Sequence, residues 1–265
     1  MRCRCFTRNH VVWLLAFGWL AFSPYFAGQP STGQEPASDG AEPASDRAGE
    51  PVDQAEDAGK GELIRLDPKA PVWLEKKGGR KRVVMVGKIC LREGQLEMFA
   101  CTRGTKEHES VVSVPVEANV VHSALLAAGA EPGKTAQFQP EYQPASGTEI
   151  DVLLYWTDAT GNRRRARGQE WVKDLQTGQA LAEPWVFAGS GFWVDQQTGQ
   201  RHYMADMGDL VCVSNFSTAM LDLPTESSDK AGQLLFQAYT EHIPPVGTKV
   251  TMVLAPKVAK RKSED

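Results

Sequence analysis

Short apolar runs separated by glycine-containing turns fill most of the chain from Leu63 onward. Runs of this kind, rich in Val, Ile and aromatic residues, predict β-strands. The dipeptide Glu93-Gly94 between two of them predicts a two-residue hairpin turn. The predicted strands are Val83–Leu91, Leu96–Cys101, Val111–Val116, Ile150–Thr157, Trp185–Ala188, Phe192–Val194, His202–Ala205, Leu210–Val213, Leu234–Tyr239 and Lys249–Leu254.

The clearest helical periodicity lies in Ala118–Ala128, where Val121, Ala124 and Leu125 fall on one face and Asn119 is the expected N-cap. One clear helix among many short strands predicts a β-rich α+β fold with mostly antiparallel sheets.

Two stretches about a hundred residues apart, Pro144–Val152 and Pro245–Met252, share a Gly-Thr turn that opens an apolar strand. The elements upstream also correspond in order, which suggests two diverged ββ-β-α-β halves; the alternative is chance reuse of a common turn. The proposed equivalences are Gly87 with Gly189, the Gly94 turn with Thr198-Gly199, Val111–Val116 with Leu210–Val213, and Ala124–Leu126 with Ala219–Leu221.

Residues 1–28 have the organisation of an export signal, because three arginines precede the apolar run Val11–Phe22, which is short for a membrane span. Tyr25 and Phe26 fit a cleavage site poorly, so an uncleaved N-terminal anchor is the alternative. We expect an exported protein, periplasmic or extracellular, that meets the membrane only through this segment.

The net charge of −4 over 265 residues is unevenly distributed. Residues 29–62 carry nine acids and two bases, together with four prolines, which predicts an extended, disordered linker. Residues 63–265 carry 24 acids and 24 bases. The predicted domain, 63–256, therefore gives no electrostatic reason to expect nucleic acid, and 257–265 is a short basic tail.

Three cysteines follow the export segment: Cys90, Cys101 and Cys212. If a hairpin turns at Glu93-Gly94, Cys90 faces Glu97, four residues before Cys101. At about 3.3 Å per residue the two cysteines lie about 13 Å apart, beyond the ~7 Å Cα separation that a disulfide tolerates. We therefore expect three buried free thiols.

The segment Cys101–Ser110 combines a thiol, an imidazole and carboxylates in one glycine-containing loop. Cys101, His108 and Glu109, with His122 from the next helix, are candidate ligands for a Zn or Cu ion. Cys101 and His108 could instead form a nucleophile–base pair. A purely structural loop, with His122 packed beside the helix, is the third interpretation, since the chain contains no CxxC, HxxxH or HExxH motif.

Three other patterns have simpler explanations. Ala128–Thr135 satisfies a relaxed phosphate-loop pattern, but a helix precedes it where the mechanism requires a strand. Arg163–Arg167 is typical of a solvated hairpin arm. The aromatic residues between 171 and 203 predict core packing, or a carbohydrate- or peptide-binding face if several are exposed.

Four segments, 99–111, 121–133, 185–190 and 208–224, resemble the YdjY-domain family of exported bacterial proteins over about residues 65–255. The resemblance implies export but no defined activity. Some relatives are associated with ferredoxin-type segments, yet this chain lacks the closely spaced cysteines that hold an iron–sulfur cluster, so none is expected.

The favoured interpretation is a non-enzymatic exported domain that binds an envelope ligand or protein, without an assigned catalytic residue. The first alternative is a periplasmic metal-binding or redox-associated protein that uses Cys101, His108, Glu109 and His122. The second is a Cys–His hydrolase.

Overall fold

The computed structural model describes residues 50–51, 61–227 and 235–258. The predicted export segment and most of the predicted linker and basic tail lie outside these residues. The strands are β1 (Glu50–Pro51), β2 (Glu62–Arg65), β3 (Val72–Lys77), β4 (Arg80–Ile89), β5 (Met98–Thr102), β6 (Ser110–Val114), β7 (Glu149–Thr157), β8 (Arg163–Arg167), β9 (Val172–Asp174), β10 (Trp185–Phe187), β11 (Phe192–Val194), β12 (Arg201–Tyr203), β13 (Val211–Cys212), β14 (Leu221–Asp222), β15 (Phe236–Ala238) and β16 (Lys249–Pro256). The helices are α1 (Ala118–Ala128) and three 3₁₀ turns, Glu107–Glu109, Gly168–Trp171 and Met204–Met207.

Eight of the strands close into a β-barrel, in the order β4, β6, β5, β13, β14, β10, β7 and β16, with β16 pairing back to β4. The predicted α+β class is therefore wrong. Local patterning identifies strands, but closure depends on pairs such as β4–β16 and β5–β13, whose members are distant in the sequence. Helix α1 packs outside the ring against β3, β4 and β16.

The predicted hairpin at Glu93-Gly94 is also wrong. β6 lies between β4 and β5: it pairs antiparallel with β4 through Ile89 and Val112, and parallel with β5 through Ala100 and Val112. The strand pairing on which the calculated separation of Cys90 and Cys101 depended does not exist.

The same strand pairings occur in both halves of the barrel. β5–β6 and β13–β14 are parallel, whereas β4–β6 and β10–β14 are antiparallel. The predicted ββ-β-α-β equivalences are nevertheless wrong, because Ala219–Leu221 leads into strand β14 and not into a helix, and Leu210–Val213 takes the position of β5 and not of β6.

The helix α1 has the predicted bounds but a different N-terminal cap. Glu117 is the N-cap and makes no side-chain cap bond. The carboxylate of Asp206 instead accepts hydrogen bonds from Asn119 N at 3.0 Å and Asn119 Nδ2 at 2.8 Å. A residue distant in sequence thus satisfies an N–H group of the first turn.

Large aromatic side chains fill the barrel core. Phe99 packs on Trp185 with ring centroids 5.3 Å apart, and the Trp185 indole donates a 2.7 Å hydrogen bond to the Cys212 carbonyl. Phe192 and Trp193 are exposed, so the aromatic segment divides between core and surface. Within the described ranges, no helix is long and apolar enough to cross a membrane.

Candidate functional site

The connection between β5 and β6 is constrained by the parallel pairing of these strands. Met98 lies opposite Ser110, and Thr102 lies opposite Val114. The chain must therefore return along the whole of β5 within residues 103–109, which are only seven. Parallel crossovers usually need a dozen residues or more, so this one lies close against the strand that carries Cys101.

Hydrogen bonds fix the returning loop at both ends. Near its start, Gly104 N donates to Glu107 Oε2 at 3.1 Å, and Thr105 Oγ1 lies 2.6 Å from the Thr102 carbonyl oxygen. At its end, Ser110 Oγ lies 2.7 Å from the Lys106 carbonyl oxygen. The loop backbone is thereby held rigidly beside Cys101.

The environment of the buried Cys101 sulfur favours its ionised form. The Cys90 thiol contributes most, followed by the hydroxyl groups of Ser110 and Thr105 and the backbone N–H of Lys106. Together they lower the pKa of the Cys101 thiol to about 7, although burial opposes ionisation. Cys101 is therefore the thiol of this site that ionises near neutral pH.

Cys90 has the opposite properties. Its contact with Cys101, then its burial, raise the pKa of its thiol well above the ordinary range. Cys90 Sγ also lies 3.0 Å from the Ser110 carbonyl oxygen, so its proton has two acceptors within reach. Cys90 is partly exposed, whereas Cys101 has no exposed surface. The two thiols thus have opposite pKa shifts and different exposure.

A second set of contacts holds the loop from the other side. Lys106 Nζ lies 2.9 Å from Asp209 Oδ1 and 3.7 Å from Glu109 Oε1. Asp209 also accepts a hydrogen bond from Thr218. Gly208 packs so closely that a Cβ there would lie 2.6 Å from Thr105 Oγ1. The loop residues Thr105 and Lys106 are therefore held in place by contacts with Gly208 and Asp209.

The four predicted metal ligands are not gathered around one point. His108 is 77% exposed, with Nε2 3.8 Å from Glu109 Oε2. His122 Nδ1 instead lies 2.8 Å from the Tyr203 hydroxyl. Among the residues described, no group of three or more His, Cys, Asp or Glu side chains could hold a metal ion. The Zn or Cu site stays a prediction.

Sequence reasoning identified Cys101 but missed Cys90, Thr105 and Ser110. The spacing of Cys90 and Cys101 contains no motif, and Thr105 and Ser110 lie beside Cys101 because the loop 103–109 returns along β5 to the parallel strand β6. No sequence signal marks that parallel pairing.

These observations define a closed β-barrel domain in which a buried thiol, Cys101, and a partly exposed thiol, Cys90, lie beside a short parallel crossover. The family model of the YdjY domain matches residues 75–255, and the chain therefore belongs to the YdjY domain family. Searches of curated proteins and of solved structures gave no match.

Proposed function

We propose that this chain is an exported cell-envelope protein whose Cys90–Cys101 pair cycles between a dithiol and a disulfide. The observation that carries this proposal is that both thiols meet at Ser110: Cys90 Sγ lies 3.0 Å from the Ser110 carbonyl oxygen, and the Cys90 thiol and the Ser110 hydroxyl both lower the pKa of Cys101. In exchange with an external disulfide, the pair loses two electrons and two protons, and the partner takes them up as two thiols.

The expected export supports this function. Disulfides form and persist outside the cytosol, where thiols are oxidised readily. The residues beneath the crossover also suit repeated cycling, because donors that stabilise a thiolate favour its release when the disulfide is reduced. All three cysteines of the described ranges are free.

Disulfide mapping tests the proposal. The full chain, purified in mild detergent, is equilibrated in glutathione redox buffers, acid-quenched, alkylated and analysed by mass spectrometry. A Cys90–Cys101 disulfide is expected in the wild type and in the Cys212→Ser control, and not in Cys90→Ser or Cys101→Ser. Two alkylated thiols at these positions in the most oxidising buffer would refute it.

Exposed aromatic residues on the β11–β12 hairpin favour a second function, binding of an envelope glycan without catalysis. Phe192, Trp193 and Val194 are 53%, 45% and 55% exposed. Trp193 stacks on His202 with ring centroids 4.4 Å apart, which fixes the orientation of the indole. A pyranose ring could pack its apolar face on this surface.

Cosedimentation with purified peptidoglycan tests this second function. Trp193→Ala should reduce the bound fraction, whereas Phe138→Ala, at an aromatic residue of similar exposure elsewhere, should leave it unchanged. If both variants bind peptidoglycan as well as the wild type does, the β11–β12 hairpin is not the binding surface.

A further inference from the structure

Strand β8 (Arg163–Arg167) has one covered edge and one largely open edge. The covered edge pairs with β7, from Thr157 to Leu153. Among the described residues, the other edge pairs only with the two-residue strand β1 (Glu50–Pro51). An open strand edge offers backbone donors and acceptors to any extended chain. The edge of β8 is therefore a surface to which a further strand can be added.

Three arginines share the outer face of β8. Ala166 is buried and lies opposite the core residue Leu154, so the even-numbered residues of the strand lie on its inner face. The odd-numbered positions form an arginine stripe on the outer face: Arg163, Arg165 and Arg167. The residues opposite this stripe on β7 are all uncharged: Thr157, Tyr155 and Leu153. β7 therefore places no carboxylate opposite the stripe.

The backbone of β8 matches the sequence of β1. The Arg167 N–H donates to Glu170 Oε1 at 2.9 Å, so Arg167 faces away from β7. Because successive strand residues direct their backbone groups to opposite neighbours, Arg165 also faces the open edge and Arg164 faces β7. β1 places its glutamate opposite Arg165 and its proline opposite Arg164. A proline, which has no N–H to donate, fits the position that needs no donor.

The chain around β1 is rich in acidic residues. β1 lies within the linker 29–62, which carries nine acids and two bases. Five of the acids lie in β1 or within six positions of it: Asp46, Glu50, Asp53, Glu56 and Asp57. The only base between positions 46 and 57 is Arg47. The charge of this segment is therefore complementary to that of the arginine stripe.

We infer that residues 46–57 of the linker dock on the β8 edge of the same chain and cover the arginine stripe. β1 is the part of this docked segment for which the structure gives the register. Attachment to the same chain favours this occupant, because a short connection raises its effective concentration at the edge to roughly the millimolar range. Anionic envelope polymers then reach the stripe only after the segment is displaced. This inference goes beyond the proposed thiol function and does not depend on it.

A designed disulfide tests the docking and its register. Glu50→Cys with Arg165→Cys places two thiols on directly opposite residues, whose Cα separation of about 4.5–5.5 Å suits a disulfide. Glu50→Cys with Arg163→Cys is the matched control, because it removes the same charges but joins residues two positions out of register, about 7–8 Å apart. The full chain in mild detergent is oxidised with glutathione disulfide, acid-quenched, alkylated and mapped by mass spectrometry, which separates the new disulfide from the native cysteines.

The first cysteine pair should close at least about tenfold faster than the control, and within a single chain. Equal rates in the two pairs would overturn the docking. A disulfide that joins two chains, seen as a dimer on a non-reducing gel, would assign the edge to the linker of a second copy and would also overturn it. Near-ultraviolet circular dichroism confirms folding, and retention on heparin decides the matter if either cysteine pair fails to fold.

Retention on heparin–agarose, a linear polyanion, tests whether the segment covers the stripe. One variant neutralises three acids in or beside β1: Glu50→Gln, Asp53→Asn and Glu56→Gln. The control makes the same change in net charge in the two EPASD repeats, 35–39 and 42–46: Glu35→Gln, Asp39→Asn and Glu42→Gln. The first variant should elute at a higher salt concentration than the control, and adding Arg165→Gln should reverse most of that shift. Equal elution of the two variants would overturn the inference.

Discussion

Replacement of Thr105 by Val tests whether the crossover loop stabilises the Cys101 thiolate. The substitution keeps the branched shape of the side chain and removes its hydroxyl, which is one of the groups that lower the pKa of Cys101. We expect the fold to be retained and the pKa of Cys101 to rise.

The structure gives the size of the effect. The pKa of Cys101 is lowered from 9.0 to about 7, which corresponds to about 3 kcal/mol of net stabilisation of the thiolate. Thr105 contributes less than Cys90 and Ser110 do, so its loss should remove only part of this stabilisation, on the order of 1 kcal/mol or less. The thiolate fraction near pH 7 then falls below the value of about one half that a pKa of about 7 gives.

The assay is a pH titration of thiolate absorbance in the ultraviolet on reduced protein. Wild type should show a one-thiol transition near the pKa of about 7 that disappears in Cys101→Ser. Thr102→Val is the matched control, because the Thr102 hydroxyl donates to the Val116 carbonyl at 3.1 Å. An unshifted midpoint in Thr105→Val, or an equal shift in Thr102→Val, would refute the reasoning.

Three further predictions concern the loop contact, the barrel and a buried carboxyl group. Gly208→Ala should destabilise the protein in urea unfolding and raise the thiolate midpoint, because the residue has φ 120° and its new Cβ meets Thr105. Gly87→Ala should cost about 1–3 kcal/mol in the same assay, since its Cβ would lie 2.5 Å from the Ser113 carbonyl oxygen. Burial raises the pKa of Asp222 from 3.8 to about 7, so its proton is held in the folded state but released by the unfolded chain between these values. Stability should fall as pH rises through this window, and Asp222→Asn should flatten that dependence.

Each of these predictions can fail in a recognisable way. Gly94→Ala is the control for Gly208→Ala, because Gly94 has φ 117° and nothing within 4 Å of its Cβ position. If Gly208→Ala and Gly94→Ala lower the free energy of unfolding equally, the close contact of Gly208 with Thr105 contributes nothing to the loss of stability. A stable Gly87→Ala would contradict the close pairing of β4 with β6. If the free energy of unfolding depends on pH in the same way in Asp222→Asn and in the wild type, that dependence comes from other titratable groups.

The sequence predicted individual elements better than their arrangement. Helix α1 was located at its observed bounds, and β16 was predicted as Lys249–Leu254 against the observed Lys249–Pro256. Both depend on local periodicity, which a single sequence displays. Barrel closure was missed because the β4–β16 pair joins positions such as Gly87 and Val250, and no local signal encodes that partnership.

The separation of the two thiols failed for a related reason. The turn signal at Glu93-Gly94 predicts that β4 and β5 pair with each other, but β6, which follows β5 in the chain, lies between them in the sheet. Antiparallel neighbours are the more common outcome, so the assumption was reasonable on average and wrong here. The thiol contact follows from the parallel pair, which only the tertiary structure reveals.

The second half of the barrel shows that topology alone does not produce a reactive thiol. Cys212 lies on β13 one residue beyond the Val211–Leu221 pair, as Cys101 lies one residue beyond the Ala100–Val112 pair. Burial, and after it the carboxylate of Asp222, raise the pKa of Cys212 well above the ordinary thiol value. The two cysteines occupy corresponding places but have opposite pKa shifts. The difference therefore comes from the side chains and amides of each crossover, and in the first half from a second thiol that the sequence places eleven residues earlier.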